Sequence, residues 1–332
     1  MNQTSPFFFE PNRIRTIYQG GRLINEIMGK TDKIDTNMSE EWLASVDIVQ
    51  DCQGQPGTGL SVIKDQLKSA APCTFKKLLM HCPQNILGPD HVQEFGPEVG
   101  FRCKLMDIAE NPPDFIDLGD DAHSQASAFF ILATREIGDK SPAIYLREIE
   151  GQKQVYIGVP DSSTIRRSRK IASLTPGDTI FVPAGLDCKL CAGLFILHVQ
   201  VTTTQSVGDY SHRPITENMT DDQLATLLKP NDLIVKRSDE GASVEIIGPE
   251  RTRDFSIKRL EIVGRYQVKP DSPFCLVFCA SGAGRLRWAS GGCEITTGDY
   301  FFMPYTVPWV EVLTYNKTCL LVVEPADNRD FF

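Results

Sequence analysis

One short unit occurs twice in this chain and constrains its fold more than any other feature. Gly177-Asp178-Thr179-Ile180-Phe181-Val182-Pro183 is matched in the C-terminal third by Gly298-Asp299-Tyr300-Phe301-Phe302-Met303-Pro304. Each copy reads as a tight Gly-Asp turn, a buried strand, and a proline that ends the strand where its missing N–H costs nothing. An apolar run follows each, Gly193 to Val199 and Cys319 to Val323. A repeated turn-strand-proline unit predicts two related β-barrels or sandwiches in tandem. Further strands are expected over residues 126–133, 143–146, 154–158, 255–262 and 274–280, with Ser281-Gly282-Ala283-Gly284 read as a hairpin turn. Helices are few. Leu60, Val62, Ile63 and Leu67 give Leu60 to Ser69 a plausible apolar face, and Thr220 to Leu228 opens on a Thr/Asp cap and stops before Pro230.

Composition removes several function classes. The formal charge of −9 argues against a nucleic-acid surface, which needs Lys and Arg to neutralise phosphates. The basic run Arg166-Arg167-Ser168-Arg169-Lys170 reads as a solvated loop or strand edge. No stretch reaches the ~20 apolar residues that span a bilayer. The N-terminus lacks the basic and apolar regions of a secretory signal, so a cytoplasmic location is expected. The ten cysteines sit mostly inside apolar runs and are expected to be buried thiols. Cys188-Lys189-Leu190-Cys191 is a lone CxxC without the second pair that a zinc site needs.

The first repeat also fits the spacing Gly-x5-Pro-x-Gly-x2-His of cupin barrels. Gly177, Pro183 and Gly185 hold their places, but Cys188 stands where the metal-binding His belongs. In the second copy Pro304 leads to Tyr305, Thr306, Val307, Pro308 and Trp309, with no ligand. Other segments resemble class I mannose-6-phosphate isomerases of the short bacterial type. Ile17-Tyr18-Gln19-Gly20-Gly21 with Leu23 resembles Trp-Gly-Gly-x-x-Leu. Ser39-Glu40-Glu41-Trp42-Leu43-Ala44-Ser45 resembles Gly-Glu-x-Trp-x-x-Ser, and Phe101 to Asp107 resembles Leu-Leu-x-Lys-x-Leu-Asp. The segments around Leu87-Gly88 and Phe95-Gly96, and from Leu174 to Gln200, resemble further family blocks. The resemblance extends from about Pro11 to Val323. It implies a mainly β fold of tandem cupin (RmlC-like jelly-roll) barrels with a few short helices. The expected division is an N-terminal barrel domain over residues 1–207 with a helical insert near 59–82, a helix and loop linker over 208–248, and a C-terminal barrel over 249–332.

In that family a zinc in the first barrel, held by Gln, two His and Glu, polarises the sugar carbonyl. Carried over position by position, the Gln falls on Phe115, the first His on Asp117, the Glu on Ser127 and the last His on Cys188. A later family Glu falls on His198, and Arg213 is the cation nearest the family's Arg. Phenylalanine cannot ligate and serine ligates poorly. No catalytic residue, metal or cofactor is therefore expected. The resemblance implies a sugar- or sugar-phosphate-binding pseudoenzyme with Lys104, His198 and Arg213 as ligand-binding candidates. Two alternatives stay open. One is an active isomerase with zinc relocated to Asp117, Cys188 and His198, with His123 as a further donor. The other is an interaction or scaffold protein. The ligand and the oligomeric state are left open.

Overall fold

The computed structural model describes residues 4–48, 59–64, 72–111, 126–149, 152–202, 219–229 and 241–325, and the backbone of 116–117 and 234–238. The chain opens with strands β1 (Phe7–Phe8) and β2 (Arg13–Ile14), helix α1 (Arg22–Ile27) and β3 (Glu40–Leu43), then helices α2 (Phe75–His81), α3 (Pro83–Leu87) and α4 (Pro89–Phe95). Next come β4 (Phe101–Ile108), β5 (Ile116–Asp117), β6 (Ser127–Thr134), β7 (Ala143–Ile149), β8 (Gln152–Gly158), α5 (Ser162–Arg166), β9 (Arg169–Ser173), β10 (Thr179–Val182), β11 (Asp187–Leu190) and β12 (Leu194–Val201). Helix α6 (Asp221–Leu228) precedes β13 (Ile234–Ser238), β14 (Gly241–Ile247), β15 (Phe255–Ile262), β16 (Arg265–Val268), β17 (Cys275–Ser281) and β18 (Ala283–Trp288). The chain finishes with β19 (Gly291–Thr296), β20 (Tyr300–Met303), β21 (Val310–Thr314) and β22 (Thr318–Pro325).

The strands form two sandwiches, and the protein is mainly β as expected. In the first, a six-stranded sheet ordered β10-β6-β12-β4-β3-β2 faces a five-stranded sheet ordered β5-β11-β8-β7-β9. In the second, the sheets run β1-β20-β17-β22-β15-β14-β13 and β16-β21-β18-β19. The central order β10-β6-β12-β4 is repeated as β20-β17-β22-β15. The first sandwich carries one extra strand: β8 stands between β7 and β11 and pairs with β11 in parallel, whereas β18 pairs with β21 directly.

The sequence repeat has a common structural cause. Asp178 Oδ2 accepts the Thr175 N–H at 2.7 Å and the Thr175 hydroxyl at 3.0 Å. Asp299 Oδ2 accepts the Thr296 N–H at 2.8 Å and its hydroxyl at 3.0 Å. Between each pair a glycine turns the chain with φ of 93° at Gly177 and 92° at Gly298, a conformation that penalises any Cβ. Each turn then delivers a fully buried strand into its sheet.

Alternation along the strands builds two kinds of core. On β12, Phe195, Leu197, Val199 and Val201 face the second sandwich and join its Ile257, Leu276, Phe278, Phe302 and Leu321 in the largest apolar cluster. Leu194 and Ile196 face the interior of the first barrel with Met106, Ile131, Val155 and Ile180. Sheets buried on both faces explain why these strands read as continuous apolar runs. The boundary between the sandwiches is crossed at the N-terminus, where β1 pairs with β20. Among the described residues no helix is long and apolar enough to cross a membrane.

Helix α6 forms as the sequence predicts. Thr220 accepts the Gln223 N–H and Gln223 reaches back to the Thr220 N–H, a complete capping box. Its Leu224 and Leu228 enter the first barrel's core along β9 and β10. Three local expectations are corrected. Leu60 to Lys64 is not helical: Val62 bridges to Thr74 and Ile63 to Phe9, so the helical insert expected near 59–82 is helical only in α2, and its residues 65–71 lie outside the described residues. Ser281 to Gly284 is not a hairpin turn, because β17 and β18 belong to different sheets and Gly282 carries the chain from one to the other. The segment expected as a helix and loop linker holds, besides α6, the paired strands β13 and β14 at the edge of the large C-terminal sheet.

Glu41 lies fully buried at the boundary between the sandwiches. Its Oε1 accepts the Asn12 N–H at 2.6 Å and the Tyr300 hydroxyl at 3.4 Å, while Oε2 has no partner among the described residues. Burial pushes the carboxyl above the ordinary glutamate value, more than Asn12 and Arg13 pull it down. A folded-state value above the unfolded one means that stability falls as pH rises from the unfolded glutamate range through the folded value, and stays lost above it. Glu41→Gln keeps both accepted hydrogen bonds and removes the charge. It is expected to stabilise the protein by about 1 kcal/mol near neutral pH, with the gain vanishing below about pH 4. Thermal melts of both proteins across that range check it.

Candidate functional site

The polar side chains of the first barrel gather on one face of its six-stranded sheet. Alternation puts Arg102 and Lys104 of β4, His198 and Gln200 of β12, and Ser127 of β6 on the interior face, with Met106, Ile196 and Phe129. Register adds Trp42, opposite Lys104, and Glu40, opposite Met106. Phe129, His198, Lys104 and Trp42 thus form one row across four strands. Directly opposed partners in a sheet share a face, so this row is fixed by pairing and not by loop conformation.

Glu40 is the hub of that row. Its carboxylate accepts the Tyr18 hydroxyl at 2.8 Å, the Trp42 indole N–H at 2.7 Å and Lys104 Nζ at 3.2 and 3.3 Å. Burial, then the Glu40 charge, raise the Tyr18 hydroxyl well above its ordinary value, so it stays a donor. The Trp42 ring is covered by two cations, with the Arg102 guanidinium 4.9 Å and Lys104 Nζ 5.6 Å from its centroid. Arg102 in turn pairs with Asp47 at 2.7 Å.

His198 sits beside this network without joining it. It is 2% exposed, and its ring stacks on Phe129 with centroids 4.7 Å apart. Neither ring nitrogen has a hydrogen-bond partner among the described residues. Burial first, then the charges of Lys104 and Arg102, hold the imidazole well below its usual value, so it is neutral. Ser127, 1% exposed, faces Gln200 across the ladder, and its Oγ also has no partner among the described residues.

The other sequence-derived positions are scattered. Cys188 lies on β11 in the opposing sheet, paired with Val155 and enclosed by the barrel's apolar core. The backbone of Asp117 pairs with Lys189, one residue beyond Cys188. Phe115, His123 and Arg213 lie outside the described residues. Lys104 is committed to Glu40. Sequence reasoning missed Glu40, Trp42, Tyr18 and Arg102 as parts of this cluster. The available signal was charge at alternate positions, Arg102 and Lys104, in a strand whose other residues are apolar except Asp107.

The donor set suits a polar ligand better than a metal. Among the described residues no group of three or more His, Cys, Asp or Glu converges as a metal site. Cys188 is walled by aliphatic side chains, and His198 is flanked by cations that oppose a further positive charge. Among the described residues, Ser127, Cys188 and His198 do not form a zinc-binding set.

A second cluster lies at the opposite end of the same sheet and is structural. Asp107 Oδ2 accepts the backbone N–H groups of Gly21 and Leu23, both at 2.8 Å, and both its oxygens accept from Arg135 at 2.6 Å. This joins the two motifs Gly20-Gly21-x-Leu23 and Lys104 to Asp107. A Cβ on Gly20 would come within 1.6 Å of the Asp107 carbonyl oxygen, so only glycine fits.

Comparison with known proteins agrees with this architecture. The family profile described as mannose-6-phosphate isomerase, cupin domain, matches residues 248–319, within the second sandwich. YvyI of Bacillus subtilis, provisionally designated a mannose-6-phosphate isomerase, is 22% identical over 257 residues, covering 71% of this chain and 79% of that protein. The crystal structure of mannose 6-phosphate isomerase from Bacillus subtilis superposes with a TM-score of 0.63 at 18% identity, covering 97% of this chain and 99% of the other. A mutant phosphomannose isomerase from Salmonella typhimurium gives 0.62 at 12% identity, covering 97% and 100%. The repeat, the paired sandwiches and these likenesses together show a tandem cupin fold similar to that of the mannose-6-phosphate isomerase family, whose cupin-domain profile matches the second sandwich.

Proposed function

We propose that this chain is a non-catalytic member of that family, a barrel that binds a sugar or sugar phosphate and performs no isomerase chemistry. The observation that carries this reading is the fate of the four zinc-coordinating positions of active relatives. They correspond here to Phe115, Asp117, Ser127 and Cys188. The two whose side chains are described support it. Ser127 offers a neutral hydroxyl, and Cys188 is sealed among aliphatic residues. Aldose-ketose isomerisation moves a proton between adjacent carbons and needs something to polarise the carbonyl as charge develops. The interior face keeps cations, but Lys104 and Arg102 are already matched to Glu40 and Asp47. What remains is a polar wall able to hold hydroxyl groups.

The purified protein is expected to carry no stoichiometric zinc, to turn over mannose 6-phosphate to fructose 6-phosphate far more slowly than ~1 s⁻¹, and to melt at a higher temperature with a hexose or hexose phosphate. Stoichiometric zinc with turnover would establish the relocated-ligand isomerase instead. A melting midpoint unmoved by either ligand would leave the scaffold reading.

A further inference from the structure

We propose that His198 and Ser127 form a recognition site for an uncharged, hydroxyl-rich ligand, a free hexose or polyol and not its phosphate ester. This rests on the binding reading above and names the ligand class for it. Buried polar groups in native proteins are almost always paired, and those that are not call for an explanation. On the interior face of the first barrel two such groups stand one diagonal apart in the ladder. His198 and Ser127 are each buried to better than nine-tenths, and neither has a hydrogen-bond partner among the described residues. Gln200 stands opposite Ser127 and two residues from His198, completing a polar edge.

The chemistry of that edge selects the ligand. A neutral imidazole presents one N–H donor and one lone-pair acceptor, and a serine hydroxyl can do both. Vicinal hydroxyl groups match such a set, because each both donates and accepts. A phosphate dianion would need an unmatched cation to offset its desolvation. The cations of this face are matched, Lys104 by Glu40 at 3.2 Å and Arg102 by Asp47 at 2.7 Å. Glu40 and Asp47 would repel a phosphate brought to the same wall. The apolar neighbours of His198 make its retention costly without a ligand: it stacks on Phe129 between strands of Leu and Ile, where phenylalanine would pack without an unmet polar atom.

The test compares D-mannose with mannose 6-phosphate by thermal shift and calorimetry on the full chain, in the unmodified protein, His198→Phe and Ser127→Ala. Mannose is expected to bind at least about tenfold more tightly than its phosphate. His198→Phe is expected to melt higher than the unmodified protein without ligand, yet to lose mannose binding by about tenfold or more. Ser127→Ala, which removes one hydroxyl from a strand that stays paired, is expected to weaken mannose binding and leave the fold unchanged. Tighter binding of the phosphate ester would overturn this assignment while leaving the binding reading intact. Binding of neither would sink both. Unchanged mannose affinity in both variants would place the ligand elsewhere and remove His198 and Ser127 from the site.

Discussion

Asp107→Ala is expected to destabilise the protein by about 3–5 kcal/mol, the range for breaking a buried ion pair from one side, and to lower its melting midpoint by roughly 10 °C. Asp107 is fully buried, and burial raises its carboxyl more than Arg135 lowers it, so the pair as a whole adds little net stability. Its removal is a different matter. Among the described residues, the truncation leaves the Arg135 guanidinium with only Asp35, 2.8 Å away on its other nitrogen. It also strands the Gly21 and Leu23 amides at the start of α1, where the N-cap residue, Gly21, has no side chain to replace Asp107. The asymmetry can be measured. Asp107→Ala combined with Arg135→Met should cost clearly less than the sum of the two single changes, because the double variant buries no unpaired charge. Additive losses would show that Asp107 acts through the amides alone.

That cluster shows which parts of the molecule its sequence discloses. Local features are plain. The Thr-x-Gly-Asp turns are closed by residues three apart, and α6 is announced by Thr220 and Gln223 at capping-box spacing. Strands whose two faces are both buried stand out as apolar runs, and β15 occupies the residues expected of it. What stays hidden is pairing at long range. Glu40 meets Lys104 across 64 residues, and nothing near either position names the other. Leu60, Ile63 and Leu67 have the sequence spacing of a helix face, and only the bridges of Val62 to Thr74 and of Ile63 to Phe9 decide that these two residues are extended. His198 is similar. Its burial follows from the apolar run around it, but whether its nitrogens find partners depends on three strands folded against one another.

The largest effect is expected from rebuilding the ligand set: Phe115→Gln, Asp117→His, Ser127→Glu and Cys188→His in one chain. Ser127 and Cys188 project into the barrel from its two opposing sheets, which is the arrangement a site between sheets requires. Phe115 and Asp117 enter on sequence correspondence alone. A new carboxylate at position 127 would find no unmatched cation on that face, because Lys104 and Arg102 are held by Glu40 and Asp47. The apo variant should therefore be less stable than the parent, and histidine at 188 adds to the loss by displacing a small thiol packed among Leu146, Val155 and Leu190. Zinc should reverse that loss. Structural zinc binding contributes about 10–16 kcal/mol in small peptides, and even a small fraction of it would raise the melting midpoint by several degrees. The variant is expected to hold about one zinc per chain after dialysis, with the unmodified protein holding only traces. A folded variant that takes up no zinc would mean that these four positions do not converge in the barrel. The account of this site as a lost zinc centre would then fail at its geometric premise, whatever the protein binds.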